Sequence, residues 1–165
     1  MDLETFIVTV YCKVDDFIRK HYQARQLRER GPLPQLSDSE VITMEIIGEY
    51  LGLNTEKAIY QYFNRHWKHF FPCLPDRSNF VRQCANLWAV KKALFEKLQN
   101  PIGSEIQIVD SMPLEVCRFV RVRNARLFQG VAAYGKWFGQ TIYGFKLHLK
   151  ITQAGMIRAF DLTEA

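Results

Sequence analysis

Apolar residues recur at helical spacing through the first hundred positions and at strand spacing after them. Phe6, Val10, Val14, Phe17 and Ile18 predict a helix over 2–30, uninterrupted by Gly or Pro until Gly31. Its end is basic, with Arg19, Lys20, Arg25, Arg28 and Arg30, as suits a helix C-terminus. Gly31-Pro32-Leu33-Pro34 reads as a stop and linker. Ser37-Asp38-Ser39-Glu40 is a capping box opening a helix over about 38–52, with Val41, Met44, Ile47 and Leu51 buried and Gly52 as its end. Asn54 or Thr55 can cap a third helix, 55–66, through Ala58, Ile59, Tyr62 and Phe63. After the break at Phe71-Pro72-Cys73-Leu74-Pro75, one fourth helix is expected over 77–99. Phe80, Cys84, Leu87, Trp88, Leu94, Phe95 and Leu98 would share its apolar face, opposite Arg77, Arg82, Lys91, Lys92 and Lys97.

Past the joint Asn100-Pro101-Ile102-Gly103 the period changes to two. In EIQIVDSMPLEVC, residues 105–117, Ile106, Ile108 and Val109 read as a short buried strand. Asp110 closes it and Ser111-Met112-Pro113 breaks it, because proline cannot donate to a sheet ladder. A second strand spans 141–150, with Tyr143, Phe145, Leu147 and Leu149 on one face and Gly144, Lys146, His148 and Lys150 on the other. An Ala154-Gly155 turn leads to a third strand over 156–163, and 118–140 reads as loop with one helical turn. The expected class is α+β: an all-helical domain, 1–100, then residues 105–165 as an antiparallel meander opening a mixed sheet.

At 165 residues, 48% hydrophobic and 24% charged, the chain is globular rather than disordered. No apolar run reaches the roughly 20 residues of a membrane helix, and MDLETF lacks the basic start of a signal peptide. Cys12, Cys73, Cys84 and Cys117 make no C-x-x-C pair, which favours reduced thiols and a cytoplasmic setting. The net charge is +5 and unevenly placed: from Cys117 to Lys150 there is no Asp or Glu. That stretch holds Arg118, Arg121, Arg123, Arg126, Lys136, Lys146 and Lys150, a distribution suited to a polyanion such as nucleic acid.

Each candidate has two readings. Asp110 at a strand end suits a metal-binding carboxylate of a nuclease-type site, and also a turn residue capping local N–H groups. Arg118, Arg121, Arg123 and Arg126 can track a DNA backbone or simply solvate a loop. Lys146 and Lys150 offer phosphate contacts, while His148 between them is either a phosphate or metal-site neighbour or a hydrogen-bonded structural residue. His66 and His69 have no neighbouring Cys or carboxylate to complete a zinc set. Trp67 and Trp88 read as core or domain-contact aromatics, and Cys117 as buried and inert. The helices at 38–52, 55–66 and 77–99 fit a helix-turn-helix-like DNA reader or an ordinary bundle.

IVDSMPLEVCRFVR, GVAAYGKWFGQTIYGFKLHLK and the terminal AFDLTEA, in that order, resemble the catalytic domain of bacterial insertion-sequence transposases of the Asp-Asp-Glu type, nearest to insertion-sequence family 982. The likeness runs from about Leu36 to the end and is strongest over 108–149. It implies a ribonuclease H-like mixed sheet, of which 105–165 would be the N-terminal, incomplete part, and metal-dependent cleavage and transfer of DNA at element ends. Asp110 matches the family's first catalytic, metal-binding Asp, with Mg2+ as the expected cofactor. The implied partner is double-stranded DNA, both element terminal repeats and target, with no membrane and with a homodimer left open. The family's second Asp falls just after the segment matching Leu162-Thr163-Glu164-Ala165 and its Glu further on, so a C-terminally truncated, inactive enzyme is expected. Asp161 is a candidate stand-in ligand at a position the family leaves variable. The alternative is a non-catalytic DNA-binding protein derived from a truncated transposase, or a degraded product with no function.

Overall fold

The computed structural model describes residues 2–22, 33–99, 106–153 and 155–165. The Gly31-Pro32 stop, the basic residues Arg25, Arg28 and Arg30, the joint at 100–103, Glu105 and Ala154 lie outside the described residues. The chain divides into two compact units, Met1–Leu98 and Gln99–Ala165.

Among the described residues the first unit holds five helices: α1 Leu3–His21, α2 Asp38–Tyr50, α3 Glu56–His66, α4 Arg77–Asn86 and α5 Trp88–Gln99. Their starts follow from local chemistry, since each orphan amide of a first turn needs an acceptor. Asp2 accepts from the Thr5 amide, Thr55 from Ala58 and Asp76 from Asn79, while Ser37 and Glu40 form the full reciprocal capping box of α2. The core gathers Phe17 of α1, Met44 and Ile47 of α2, Phe63 of α3, Phe80 of α4 and Leu94 of α5. Polar ties fix the helices around it. Ser39 Oγ donates to Asp15, which also pairs with Arg19, and the buried Gln83 amide donates to Leu36 O and Asp38 Oδ1 at 3.1 and 2.8 Å. Among the described residues, no helix is long and apolar enough to cross a membrane.

Several expectations need correcting here. α1 ends at His21, and residues 23–30 of the helix expected over 2–30 lie outside the described residues. Tyr22 leaves the helix at φ −125° while its N–H still reaches Ile18 O, and His21 Nδ1 reaches back to within 2.9 Å of Phe17 O. Leu51 is part-exposed because it is the C-cap of α2 rather than a residue of its apolar face. The expected single helix over 77–99 is two. At Leu87, φ −89° and ψ 7° interrupt the ladder, and its N–H is shared between Gln83 O and Cys84 O. Leu87 is buried by the break, and Trp88 and Leu98, expected on the apolar face, are about 60% exposed (60% and 58%).

The second unit is an antiparallel sheet of β1 Gln107–Glu115, β2 Ala133–Trp137, β3 Gln140–Thr152 and β4 Ile157–Glu164, with a 3-10 helix over Phe119–Asn124. β3 is central. β1 pairs along one side of it, while β2 and β4 share the other, β2 beside 140–144 and β4 beside 145–151. Helices plus an antiparallel four-stranded sheet make the fold α+β.

β1 contradicts the expectation that Asp110 closes a strand. It runs through Asp110 and Pro113 to Glu115, so Asp110 sits mid-strand opposite Leu149. Val116 N donates to Tyr143 O, and donor direction alternates along an antiparallel pair. The Pro113 nitrogen therefore faces the edge of β1 away from β3, where its missing donor removes no ladder bond. Ile106, Ile108 and Val109 are exposed rather than buried, and β1 is an edge strand among the described residues. The segment 118–140 holds a strand, β2, besides its helical turn. Phe138 at φ 47° and Gly139 at φ 80° close a two-residue hairpin into β3.

Candidate functional site

Residues directly opposed in an antiparallel pair share a face, and neighbours along a strand alternate. Asp110 therefore lies on the face carrying Leu149 and Phe160, flanked by Met112, Leu147 and Leu162 in the next row. It is exposed, and its Oδ1 accepts the Ser111 backbone N–H at 2.7 Å, so the local-capping role read for it is met in part. One oxygen of the carboxylate holds that amide, which leaves the other available to a ligand.

The opposite face carries Ser111, His148 and Asp161 in one row, Pro113, Lys146 and Thr163 in the next, and Val109, Lys150 and Ala159 beyond. Asp161 and Asp110 thus project from opposite sides of the sheet and cannot bind one ion together. Asp161 accepts the Leu162 amide at 2.9 Å, and His148 Nε2 lies 3.0 Å from Thr163 Oγ1, the structural partner read for it. β4 extends to Glu164, which does share Asp110's face. Glu164 lies four residues along β3 and two strands across from Asp110, on the order of 15 Å away by strand spacing. Among the described residues no group of three or more His, Cys, Asp or Glu could hold a metal ion.

The basic segment is built on Asp110's face. Phe119 meets the Tyr134 ring at 6.2 Å, Phe128 meets Phe145 edge-on at 5.4 Å, and Tyr143 Oη donates to Phe128 O. Tyr134, Tyr143 and Phe145 all belong to that face. The segment so anchored presents Arg118, Arg121, Arg123 and Arg126 exposed, and none of the four is ion-paired among the described residues. Lys146 and Lys150 stand on the other face. Lys146 is half-buried with Nζ 5.9 Å from the centre of the Trp137 ring, and Lys150 is exposed. The four arginines lie in the segment anchored on Asp110's face, and the two lysines stand on the other face.

Cys117 is half-buried rather than buried. In the helical unit, Cys84 is buried beside the Glu45–Lys91 pair, in which Lys91 Nζ lies 2.8 Å from Glu45 Oε1. Burial, and then Glu45 nearby, push the Cys84 thiol up to about 12. Burial also raises the Glu45 carboxyl above its usual range, against the opposing pull of Lys91. Sequence reading missed β2, the hairpin tip and the place of Glu164. The available signal was the alternation of Ala133-Tyr134-Gly135-Lys136-Trp137 before a glycine and a second alternating run.

Residues 102–165 match the family model described as the transposase DDE domain, and that span takes in the whole of β1 to β4. The match supports a transposase of the Asp-Asp-Glu type. No curated protein and no solved structure matches the chain.

Proposed function

We propose that the chain works in DNA transposition, as the DNA-binding and first-carboxylate portion of an insertion-sequence transposase of the family 982 kind. The observation that carries this reading is the transposase-domain match over the sheet in which Asp110 and the arginine segment share one face. Asp110 is the proposed catalytic and metal-binding residue, and Mg2+ the proposed cation, since it is hard and takes carboxylate, water and phosphate oxygens. Among the described residues the donors do not complete that cation's site: Asp110 has no second carboxylate within reach on its face. Arg118, Arg121, Arg123 and Arg126 are the proposed backbone contacts for duplex DNA, with Lys146 and Lys150 as contacts from the other face. The helical unit is the proposed reader of the element's terminal repeats.

Phosphate contacts release counterions, so affinity should fall steeply with salt. Replacing the four arginines together with alanine should lower the slope of log affinity against log salt by roughly two to three. Fluorescence anisotropy with duplex DNA at several salt concentrations tests this. An unchanged slope would make the segment a solvated surface, and undetectable binding at low salt would end the DNA reading.

A second reading is favoured by the isolation of Asp110: DNA binding without cleavage by these 165 residues. Such a protein would occupy element ends and compete with a complete enzyme.

A further inference from the structure

We propose that the tip of the β2–β3 hairpin is a base-stacking wedge: Phe138, backed by Trp137, inserts at an unpaired or weakly stacked base of duplex DNA. Phe138 is 93% exposed, and its backbone is left-handed at φ 47°. A bulky residue pays for φ > 0 where Gly or Asn would fit with little cost. Phe128 also has a positive φ, but its ring packs on Phe145. Phe138 has no such seat on the sheet. Its ring contact is with its neighbour Trp137, edge to face at 5.4 Å.

Along the hairpin's own sequence the charge is of one sign. Lys136 is exposed on the hairpin, Lys146 reaches over Trp137, and no acid occurs between Cys117 and Lys150. An exposed ring on a hairpin whose own charged residues are all basic fits a partner with phosphates outside and flat π surfaces within. Aromatic side chains that enter DNA displace a base from its neighbours and take up its stacking. The lysines would hold the backbone on either side, while Lys146 on the Trp137 face would stiffen the base of the wedge. The proposal rests on the DNA-binding reading above and adds a second mode of contact, independent of charge.

The test compares wild-type protein, Phe138→Asn and Phe138→Trp on two DNA duplexes of the same sequence, one fully paired and one with a single unpaired base. Asn suits the left-handed turn, so Phe138→Asn keeps the hairpin while removing the ring; far-UV circular dichroism and a thermal melt check this. Wild-type protein should prefer the duplex with the unpaired base by about fivefold or more. Phe138→Asn should abolish that preference with the salt slope unchanged, and Phe138→Trp should retain it. If wild-type protein binds both duplexes but shows no preference, or if Phe138→Asn keeps the preference, the wedge is overturned and the DNA reading stands. Equal loss of affinity for both duplexes in Phe138→Asn overturns it too, because the ring would then act without selecting an unstacked base. Binding to neither duplex by wild-type protein removes the DNA reading itself.

Discussion

Replacing Gly144 with alanine puts a methyl group where the backbone of β1 already stands. A Cβ at Gly144 would lie 2.1 Å from Leu114 O, 3.0 Å from Val116 N and 3.1 Å from Glu115 Cα. All three are main-chain atoms, so no side-chain rotation relieves the clash. The end of β1 must lift from β3, and the adjacent Val116 N to Tyr143 O bond is the first at risk. Overpacking of this kind costs about 1–3 kcal/mol, and a lost ladder bond about 1 kcal/mol more, so a local loss of roughly 2–4 kcal/mol is expected. Hydrogen exchange read by mass spectrometry on the β1 and β3 peptides is the assay. Opening there should accelerate roughly 30- to 1,000-fold, up to the limit set by global unfolding. Gly139→Ala is the control: it has nothing within 4 Å but sits at φ 80°, so it carries only the left-handed penalty of about 1–2 kcal/mol at the turn. If β1 exchanges no faster in Gly144→Ala than in Gly139→Ala, the close approach does not hold the strand in place.

Four further outcomes are expected. Glu45 has a raised folded pKa, so it contributes stability that is fully present below its unfolded pKa and is lost as pH rises through the folded one; denaturation of the wild type and Glu45→Gln across pH 4–8 should show the wild type losing ground as pH rises, and parallel curves would contradict this. The exposed Cys12 and Cys73 should react with a disulfide reagent at neutral pH well before Cys84, whose thiol is pushed up to about 12; a Cys84 labelled as fast in native protein would refute its burial. Ser37→Ala should cost about 1 kcal/mol in the melt of the helical unit by undoing the capping box, and no change would mean the cap is dispensable. The 165-residue chain should not nick DNA with Mg2+ or Mn2+; metal-dependent nicking that vanishes in Asp110→Ala would show that Asp110 finds co-ligands beyond its own face.

The starts of α2 and α3 were legible because each is written in a few adjacent residues: Ser37 with Glu40, and Asn54 or Thr55, of which Thr55 is the cap. The break at Leu87 was not, since no Gly or Pro marks it; it is a tertiary choice that buries Leu87 at the cost of exposing Trp88. β3 announced itself by the alternation from Tyr143 to Lys150, and the strand runs over Gln140–Thr152. β1 did not, because Pro113 signals a stop unless one knows that the strand pairs on one side only and that its nitrogen faces the other. β2 hid behind Phe138, an unusual residue for the left-handed half of a tight turn. Asp110 could be picked out, but its face could not be assigned relative to Asp161, because that needs the register between strands rather than the pattern along them.

Register turns the sheet into two chemically distinct surfaces, and this is what gives Asp110 its meaning. On its face Ile108, Met112, Leu147, Leu149, Phe160 and Leu162 surround one carboxylate. While that face is open, water solvates the charge and the single Ser111 amide suffices. Any element that packs on the apolar residues also strips water from Asp110, and an unpaired buried carboxylate is then costly. The covering element must therefore bring hydrogen-bond donors or positive charge, or Asp110 must take a proton or a cation. An apolar residue at 110 would have made the face simpler to cover and no less stable. The segment carrying Arg118, Arg121, Arg123 and Arg126 is anchored on that same side, and none of the four is ion-paired among the described residues, so it is one such source of positive charge.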